Sequence, residues 1–323
     1  MNRITIALSV ALFGALWTAP ASAQAYPQKP VKLVIPSAAG AAPDIIGRIV
    51  AQRLSENLGQ SMIVENRPGA GGIIGTDAAA KAAPDGYTLL LGTAAFLSVS
   101  PALYKKVTYD PVNSFAPISM IGTNMYVMVV NPSVPARTVE ELIALAKSKP
   151  GALNYGSSTI GTPSHLVMEM FKTAAGVNIV GVHYIGSAQA LTSLLAGDVQ
   201  VAIDTFASSL TQIRAGKVRP LVVTGSKRAK ELPDVRSAPE LKLQGFQADG
   251  WFGLLAPKGT PNDIVRRLHA GMVKALSSRE LIEALDRQGV DAAHSTPEEF
   301  LARLKTDGVR WAAVVKTSGA KVQ

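Results

Sequence analysis

The 323-residue chain contains no cysteine. That removes disulfides, thiolate metal sites and a cysteine-linked lipid anchor from its chemistry. Histidine is nearly as scarce. Four imidazoles without thiolates make a poor metal set, and there is no H-E-x-x-H stretch and no Walker-type lysine loop. Charged residues are only 17% of the chain, and the lysines and arginines are scattered rather than gathered in runs. The net charge of +9 therefore reads as a solvated surface with a modest preference for anionic partners, not as a nucleic-acid footprint. With 47% hydrophobic residues the chain is globular and long enough for one large or two medium domains.

Long apolar runs are missing too, with one exception at the start. Asn2-Arg3 forms a short basic opening, residues 4–17 are apolar but short of a bilayer span, and Ala21-Ser22-Ala23 is an A-x-A cleavage site. Residues 1–23 read as a signal peptide, with the mature chain starting near Gln24. Arg3 is the single charge in that segment, so its removal lowers the net charge of +9 by one. A protein working outside the cytoplasmic membrane is not expected to use a nucleotide cofactor or to bind nucleic acid. No cofactor and no metal is expected.

Strand-like runs at 31–35, 62–65, 88–91, 125–130, 153–155, 179–183, 199–203 and 219–223 alternate with helical patterns. That alternation predicts an α/β fold with mainly parallel sheets. Thr138-Val139-Glu140-Glu141 is a capping box ahead of a helix over 142–149, which Pro150-Gly151 ends. Thr162-Pro163 and Thr260-Pro261 each set a cap residue before a proline in the first helical position, and Thr296-Pro297-Glu298-Glu299 repeats the arrangement. Ile45, Ile46, Ile49, Val50 and Leu54 form one apolar stripe, as a helix covering a sheet requires.

Four strands run into loops of Gly, Ala, Ser and Thr: 36–43, 92–100, 156–164 and 205–209. A fifth small-residue turn, Gly186-Ser187, opens a helix over 188–196. In open α/β sheets ligands bind beyond the carboxyl ends of strands, where helix N-termini offer backbone N–H groups to anions. Small side chains let a ligand reach that backbone. The stretches 37–44 and 156–165 contain no Lys or Arg, so the grip they offer is neutral.

Enzyme motifs fit less well. Gly69-Ala70-Gly71-Gly72-Ile73-Ile74 approaches a dinucleotide fingerprint, but Ile74 replaces the third glycine and no strand leads into it; residues 66–72 read as a surface turn. Gly156-Ser157-Ser158-Thr159-Ile160 approaches a nucleophile elbow, but Ile160 replaces the closing glycine. The competing function is a secreted α/β hydrolase using Ser157 or Ser158 with His165; His183 is a second histidine able to partner a serine. Asp44, Asp204 and Asp249 are isolated, and their spacing argues for no acid–base pair.

The mature N-terminus Tyr26-Pro27-Gln28-Lys29-Pro30-Val31 resembles the opening of the Bug family, the substrate-binding proteins of tripartite tricarboxylate transporters. The likeness continues through Val64-Glu65-Asn66-Arg67-Pro68-Gly69-Ala70-Gly71-Gly72 and Ala83-Pro84-Asp85-Gly86-Tyr87-Thr88-Leu89. It returns at Asn131-Pro132-Ser133-Val134-Pro135-Ala136-Arg137, at Gly161-Thr162-Pro163-Ser164-His165-Leu166, and at Gly253-Leu254-Leu255-Ala256-Pro257-Lys258-Gly259-Thr260-Pro261. It spans essentially the whole mature chain.

The resemblance implies a two-lobed periplasmic-binding-protein fold, type II-like, each lobe a mainly parallel sheet flanked by helices. It implies a periplasmic solute-binding protein that captures an organic carboxylate, performs no chemistry, and delivers its cargo to the membrane components of the transporter as a monomer. A sensor subunit serving a membrane receptor is the third reading. In the family, backbone amides and ordered water of the first strand–helix loop hold a ligand carboxylate. Here that loop carries Ser37, Ala39, Gly40 and Asp44, with Asp44 orienting the loop or binding water. The second lobe supplies hydroxyls, here Ser157, Ser158, Thr162 and Ser164, and Asp204 matches a cleft-facing family acid. Thr93, in the 92–100 loop, completes the expected ligand-binding set. Three departures bear on specificity: Ser37 stands where an aromatic is usual, Ala41 where a glycine is, and Tyr184-Ile185-Gly186 where Tyr-Lys-Gly is. They favour a bulkier or aromatic carboxylate, with Phe206 edging the cleft. Residues 25–123 and 227–323 are expected to form one discontinuous lobe and 124–226 the other, linked by strands near 118–124 and 222–226.

Overall fold

The computed structural model describes residues 26–320, so the expected signal peptide and the mature start at Gln24 lie outside the described residues. Ten strands are present: β1 (Val31–Ile35), β2 (Met62–Asn66), β3 (Thr88–Thr93), β4 (Phe115–Val130), β5 (Asn154–Ser157), β6 (Val180–His183), β7 (Val201–Thr205), β8 (Arg219–Val223), β9 (Asp249–Pro257) and β10 (Val290–Ala292). The sheet path runs β2-β1-β3-β9-β4-β7-β5-β6, with β8 and β10 also paired to β4. The helices that position the site are α1 (Ala42–Leu58), α2 (Ile73–Ala80), α3 (Ser100–Leu103), α4 (Val139–Ser148), α5 (Pro163–Ala175), α6 (Ser187–Ala196) and α7 (Phe206–Arg214). The C-terminal set is α8 (Asn262–Leu276), α9 (Arg279–Asp286) and α10 (Pro297–Ser318).

Strand β4 explains the two-lobed architecture. Its 16 residues belong to both halves of the sheet. From Phe115 to Met125 it runs antiparallel to β9, and from Tyr126 to Val130 it pairs with β7. The outer strands are parallel (β2-β1-β3 on one side, β7-β5-β6 on the other), while β4, β8 and β9 add antiparallel pairs at the centre, making the sheet mixed. The sequence reading split this strand, taking residues 118–124 as a linker strand apart from 125–130, because Pro117, Gly122 and Asn124 interrupt the apolar pattern of the first half. Gly122 is required there: a Cβ would lie 2.5 Å from the Asp291 carbonyl oxygen of the adjoining β10. Strands β9 and β10 are not among those expected from sequence.

Each half of the sheet is covered on both faces. In the first lobe, Leu33, Val50, Leu54, Leu268 and Met272 join β1 to α1 and α8, and on the other face Leu90, Leu97, Trp251 and Phe300 pack together. In the second, Tyr155, Leu166, Phe171 and Ile203 form one cluster, and Val127, Leu194, Phe206 and Val223 the other. Residues 227–248, expected with the first lobe, instead pack on the second: Ala229 joins the Phe206 cluster, while Ala238, Phe246 and Ala248 join the Phe171 cluster. Helix α10 also spans the two, placing Phe300 and Leu304 in the first-lobe core and Trp311 and Val315 in the second.

Local signals form in part: Thr162 stands at an N-cap without a side-chain cap bond, and the Thr138 box closes on one side only. The Thr296 capping box forms, and Thr138 Oγ1 accepts from the Glu141 amide. Thr260, expected as a cap, instead donates its hydroxyl to the Pro257 carbonyl, leaving Pro261 in the N-cap position. Ile45, assigned to the buried stripe, is 36% exposed, because it sits at the open N-terminal turn of α1. Among the described residues, no helix is long and apolar enough to cross a membrane, and no His, Cys, Asp or Glu cluster is arranged to hold a metal.

Candidate ligand cleft

The first-lobe loop leaves β1 and turns into α1 with almost no side chain on it. Ala38, Ala39 and Gly40 are exposed, and Gly40 adopts φ +79°, a left-handed conformation that suits glycine. Buried Asp44 braces the turn. Its carboxylate accepts from the Gly40 amide (2.8 Å), Arg48 Nε (2.9 Å) and Asn66 Nδ2 (2.9 Å), and Asn66 Nδ2 also donates to the Ser37 carbonyl (3.1 Å). Burial opposes ionisation of Asp44, but the Arg48, Gly40 and Asn66 hydrogen bonds outweigh it and hold the carboxyl below its ordinary range. Its side chain is committed to shaping the loop. The Ser37 hydroxyl makes no closer contact than 3.5 Å to the Ala38 carbonyl.

Thr93 is buried, and its Oγ1 accepts from the Phe96 amide at 3.2 Å, capping the turn that follows β3. The Gly-rich stretch after β2 is a surface turn only as far as Gly71. Gly72 is buried, and a Cβ there would lie 2.4 Å from the Phe96 ring.

In the second lobe three hydroxyls converge where β5 meets α5. Ser158 Oγ lies 3.0 Å from both Thr162 Oγ1 and Ser164 Oγ, which are 3.0 Å apart, and Ser164 Oγ accepts from the Ser158 amide. Thr162 Oγ1 also donates to the Thr159 carbonyl at 2.6 Å. Ser157, Ser158, Ser164 and Asp204 line one small cavity at the ends of β5 and β7. Asp204 accepts from the Thr205 amide at 2.7 Å; burial pushes its carboxyl up despite that bond and one from Ser208, and no cation contributes. The two lobes meet at Gly161, where a Cβ would lie 2.3 Å from Leu103.

The hydrolase pairing is absent from this geometry. His165 Nδ1 accepts from the Gly161 amide at 3.1 Å and so serves the loop, while Ser157 Oγ lies 2.7 Å from His183 Nδ1. The two imidazoles meet edge to face, with ring centroids 5.0 Å apart. Burial, chiefly, lowers the pKa of His165 to about 4, with Glu169 opposing and His183 and Lys172 reinforcing. The neutral ring is therefore the form that holds Gly161. Stability from this group is present above the ordinary histidine range and is lost as pH falls from about 6.5 toward 4, because the unfolded chain gains the proton first. His165→Gln is expected to flatten that part of the stability–pH profile, measured by thermal unfolding from pH 7 to pH 4. An unchanged profile would show that another group sets it.

The sequence reading gave no role to Arg48, Asn66 or Ser209 and took Ser187 only as a helix start, while His183, weighed there as a serine's partner, is the histidine that Ser157 meets. Arg48 stands one helical turn after Asp44, a signal that was available. Asn66 lay inside a quoted motif without an assigned role. Phe206, expected at the cleft edge, is buried in the α6–α7 core instead.

A two-domain α/β protein, its halves joined through a shared strand, with a neutral loop at a strand end in each half, is a solute-binding protein of the periplasmic type. The family described as "Tripartite tricarboxylate transporter family receptor" matches residues 46–320, and the chain belongs to it. Protein BugT of Bordetella pertussis is 36% identical over 324 residues, covering 100% of this chain and 99% of that protein. Among solved structures, the periplasmic binding protein BugD is 34% identical with a TM-score of 0.74, covering 92% of this chain and 100% of that one. A protein from R. palustris solved with adipate is 35% identical, TM-score 0.78, with the same coverage. MatC from Rhodopseudomonas palustris, with bound malate, is 30% identical, TM-score 0.74, covering 90% and 100%. The protein is a solute receptor and not an enzyme, and the hydrolase reading falls on the family.

Proposed function

We propose that this receptor is exported by the signal peptide at residues 1–23, works in the periplasm as a monomer, and hands an organic carboxylate to the membrane components of a tripartite tricarboxylate transporter. In this reading the Ser37, Ala39 and Gly40 backbone, braced by Asp44, meets one end of the ligand, and Ser157, Ser158, Thr162, Ser164 and Asp204 meet the other. Thr93 supports the cleft from behind. The observation that carries the reading is the pair of cation-free loops at the N-termini of α1 and α5, where neutral donors hold an anion without a counter-charge. Relatives solved with adipate and malate support the carboxylate class. We divide the lobes at Met125–Tyr126 on the way out and near residue 248 on the way back, following the packing of 227–248.

The ligand in this reading has a bulkier or aromatic body. Ile185 is 90% exposed and Ile160 43% exposed, giving the second-lobe rim carbon surface where the family usually carries a lysine. Covering such surface contributes about 25 cal/mol per Å². A thermal-shift screen over mono-, di- and aromatic carboxylates tests the proposal, since a ligand that binds only the folded state raises its apparent stability. No carboxylate shifting the transition would end it. Ser157→Ala and Thr162→Ala are each expected to weaken binding by about 1–3 kcal/mol per hydrogen bond lost to a charged ligand. Wild-type calorimetry from both would mean that the hydroxyl loop is not the grip. Ile185→Lys is expected to improve succinate binding and weaken benzoate binding; succinate already preferred by the wild type, with no gain from the lysine, would remove the argument for an aromatic ligand.

A further inference from the structure

Behind the second-lobe hydroxyls lies a cavity of about 10 Å³ between the ends of β5 and β7 and the first turns of α5, α6 and α7. That is room for about one water-sized oxygen. Its polar lining is Ser157, Ser158, Ser164, Ser187, Asp204 and Ser209, and the remaining wall is aliphatic; no Lys or Arg reaches it. Ser209 Oγ is fully buried and has no hydrogen-bond partner among the described residues. Orphaned buried hydroxyls are rare in folded proteins, so one on a residue that lines a polar chamber of this size points to an occupant. The occupant must also suit Asp204, which has the Thr205 amide but no cation beside it. A second ionised carboxylate would meet a like charge there without compensation. A neutral O–H would donate to one group and pair with the other.

We propose that the chamber takes a single neutral, hydroxyl-sized oxygen bridging Ser209 Oγ and Asp204, either a trapped water or a hydroxyl of the ligand. Ser209 is then a specificity-determining residue, and the second-lobe end of the ligand is a neutral group rather than a second carboxylate. This rests on the carboxylate-receptor reading and narrows it from diacids to monocarboxylates.

The test uses two matched probe series in calorimetry: hexanoate, 6-hydroxyhexanoate and adipate, and benzoate, 4-hydroxybenzoate and terephthalate. In either series the diacid is expected to bind most weakly. Equal affinity of the unsubstituted and hydroxylated probes identifies a trapped water. About a tenfold advantage for the hydroxylated probe, the worth of one charge-assisted hydrogen bond, identifies the ligand's own hydroxyl. Ser209→Val, which fills the chamber, is expected to lower the best probe's affinity by about tenfold. Tightest binding by the diacids, or wild-type affinity in Ser209→Val, overturns the proposal. If none of the six probes binds, the carboxylate reading is what fails. Should Ser209→Val not fold, or no probe bind, a crystal structure of the wild-type protein decides. An ordered oxygen within hydrogen-bond distance of both Ser209 Oγ and the Asp204 carboxylate is expected, and an empty chamber overturns it.

Discussion

Asp44→Ala is expected to lower ligand affinity by at least about tenfold and to cost about 1–2 kcal/mol of stability, because two part-buried donors lose the acceptor they share. The Gly40 amide and Asn66 Nδ2 both lose their acceptor on Asp44, and Asn66 is also the group that holds the Ser37 carbonyl. The Arg48 pair adds little, since that side chain is 53% exposed and solvent screens it. Asp44→Asn keeps the volume but turns an amide donor toward other donors, so an intermediate loss is expected. The pH dependence follows from the depressed pKa. The contribution is complete above the ordinary aspartate range and disappears as pH falls through the lower folded-state value. Urea unfolding separates the two effects from calorimetric affinity. A variant that loses stability but binds as tightly as wild type would show that this loop is not part of the grip.

The largest stability effect is expected away from the ligand, at Asp307. This residue of α10 is 2% exposed and accepts from Trp251 Nε1 (2.8 Å) and Arg303 Nε (2.7 Å), with Arg310 Nη2 at 3.2 Å. Arg303 reaches on to Asp249, the first residue of β9, at 2.8 Å. The network thus ties α10 to the strand that re-enters the first lobe beside the β4 crossing. Asp307→Ala leaves the Trp251 indole N–H and Arg303 Nε without their shared acceptor and removes the carboxylate that faces Arg310. A loss of about 3–5 kcal/mol is expected, the range for breaking a buried ion pair from one side. Equilibrium unfolding in urea checks it, and a loss below about 1 kcal/mol would place the network among surface pairs of little worth. Because Asp249 adjoins the crossing, a change in ligand affinity with preserved binding-loop residues would further tie this network to lobe closure.

What was legible in the chain follows from short-range physics. Strands such as 31–35 and 219–223 carry contiguous apolar or β-branched residues, and helix starts carry their own caps at Thr138 and Thr296. Small residues after β1 and β5 mark the strand–helix loops that lead into α1 and α5. Those features depend on neighbours within a few positions, so local sequence suffices to encode them.

Tertiary structure decided the rest, because the deciding partners lie far apart in the chain. The first half of β4 exists as strand because β9, more than a hundred residues later, pairs with it despite Pro117 and Gly122. Phe246 and Ala248 bury against the Phe171 cluster, a packing choice that no periodicity records. Ser157 meets His183 rather than His165 because β5 and β6 align in parallel, with Ser157 opposite His183, while His165 turns back to its own loop at Gly161. Asp44 was expected to orient its loop or bind water, but its partner Asn66, brought in by the neighbouring strand β2, could not be read from the residues around it. In each case hydrogen-bond satisfaction and burial across the fold overrode what the local residues alone would favour.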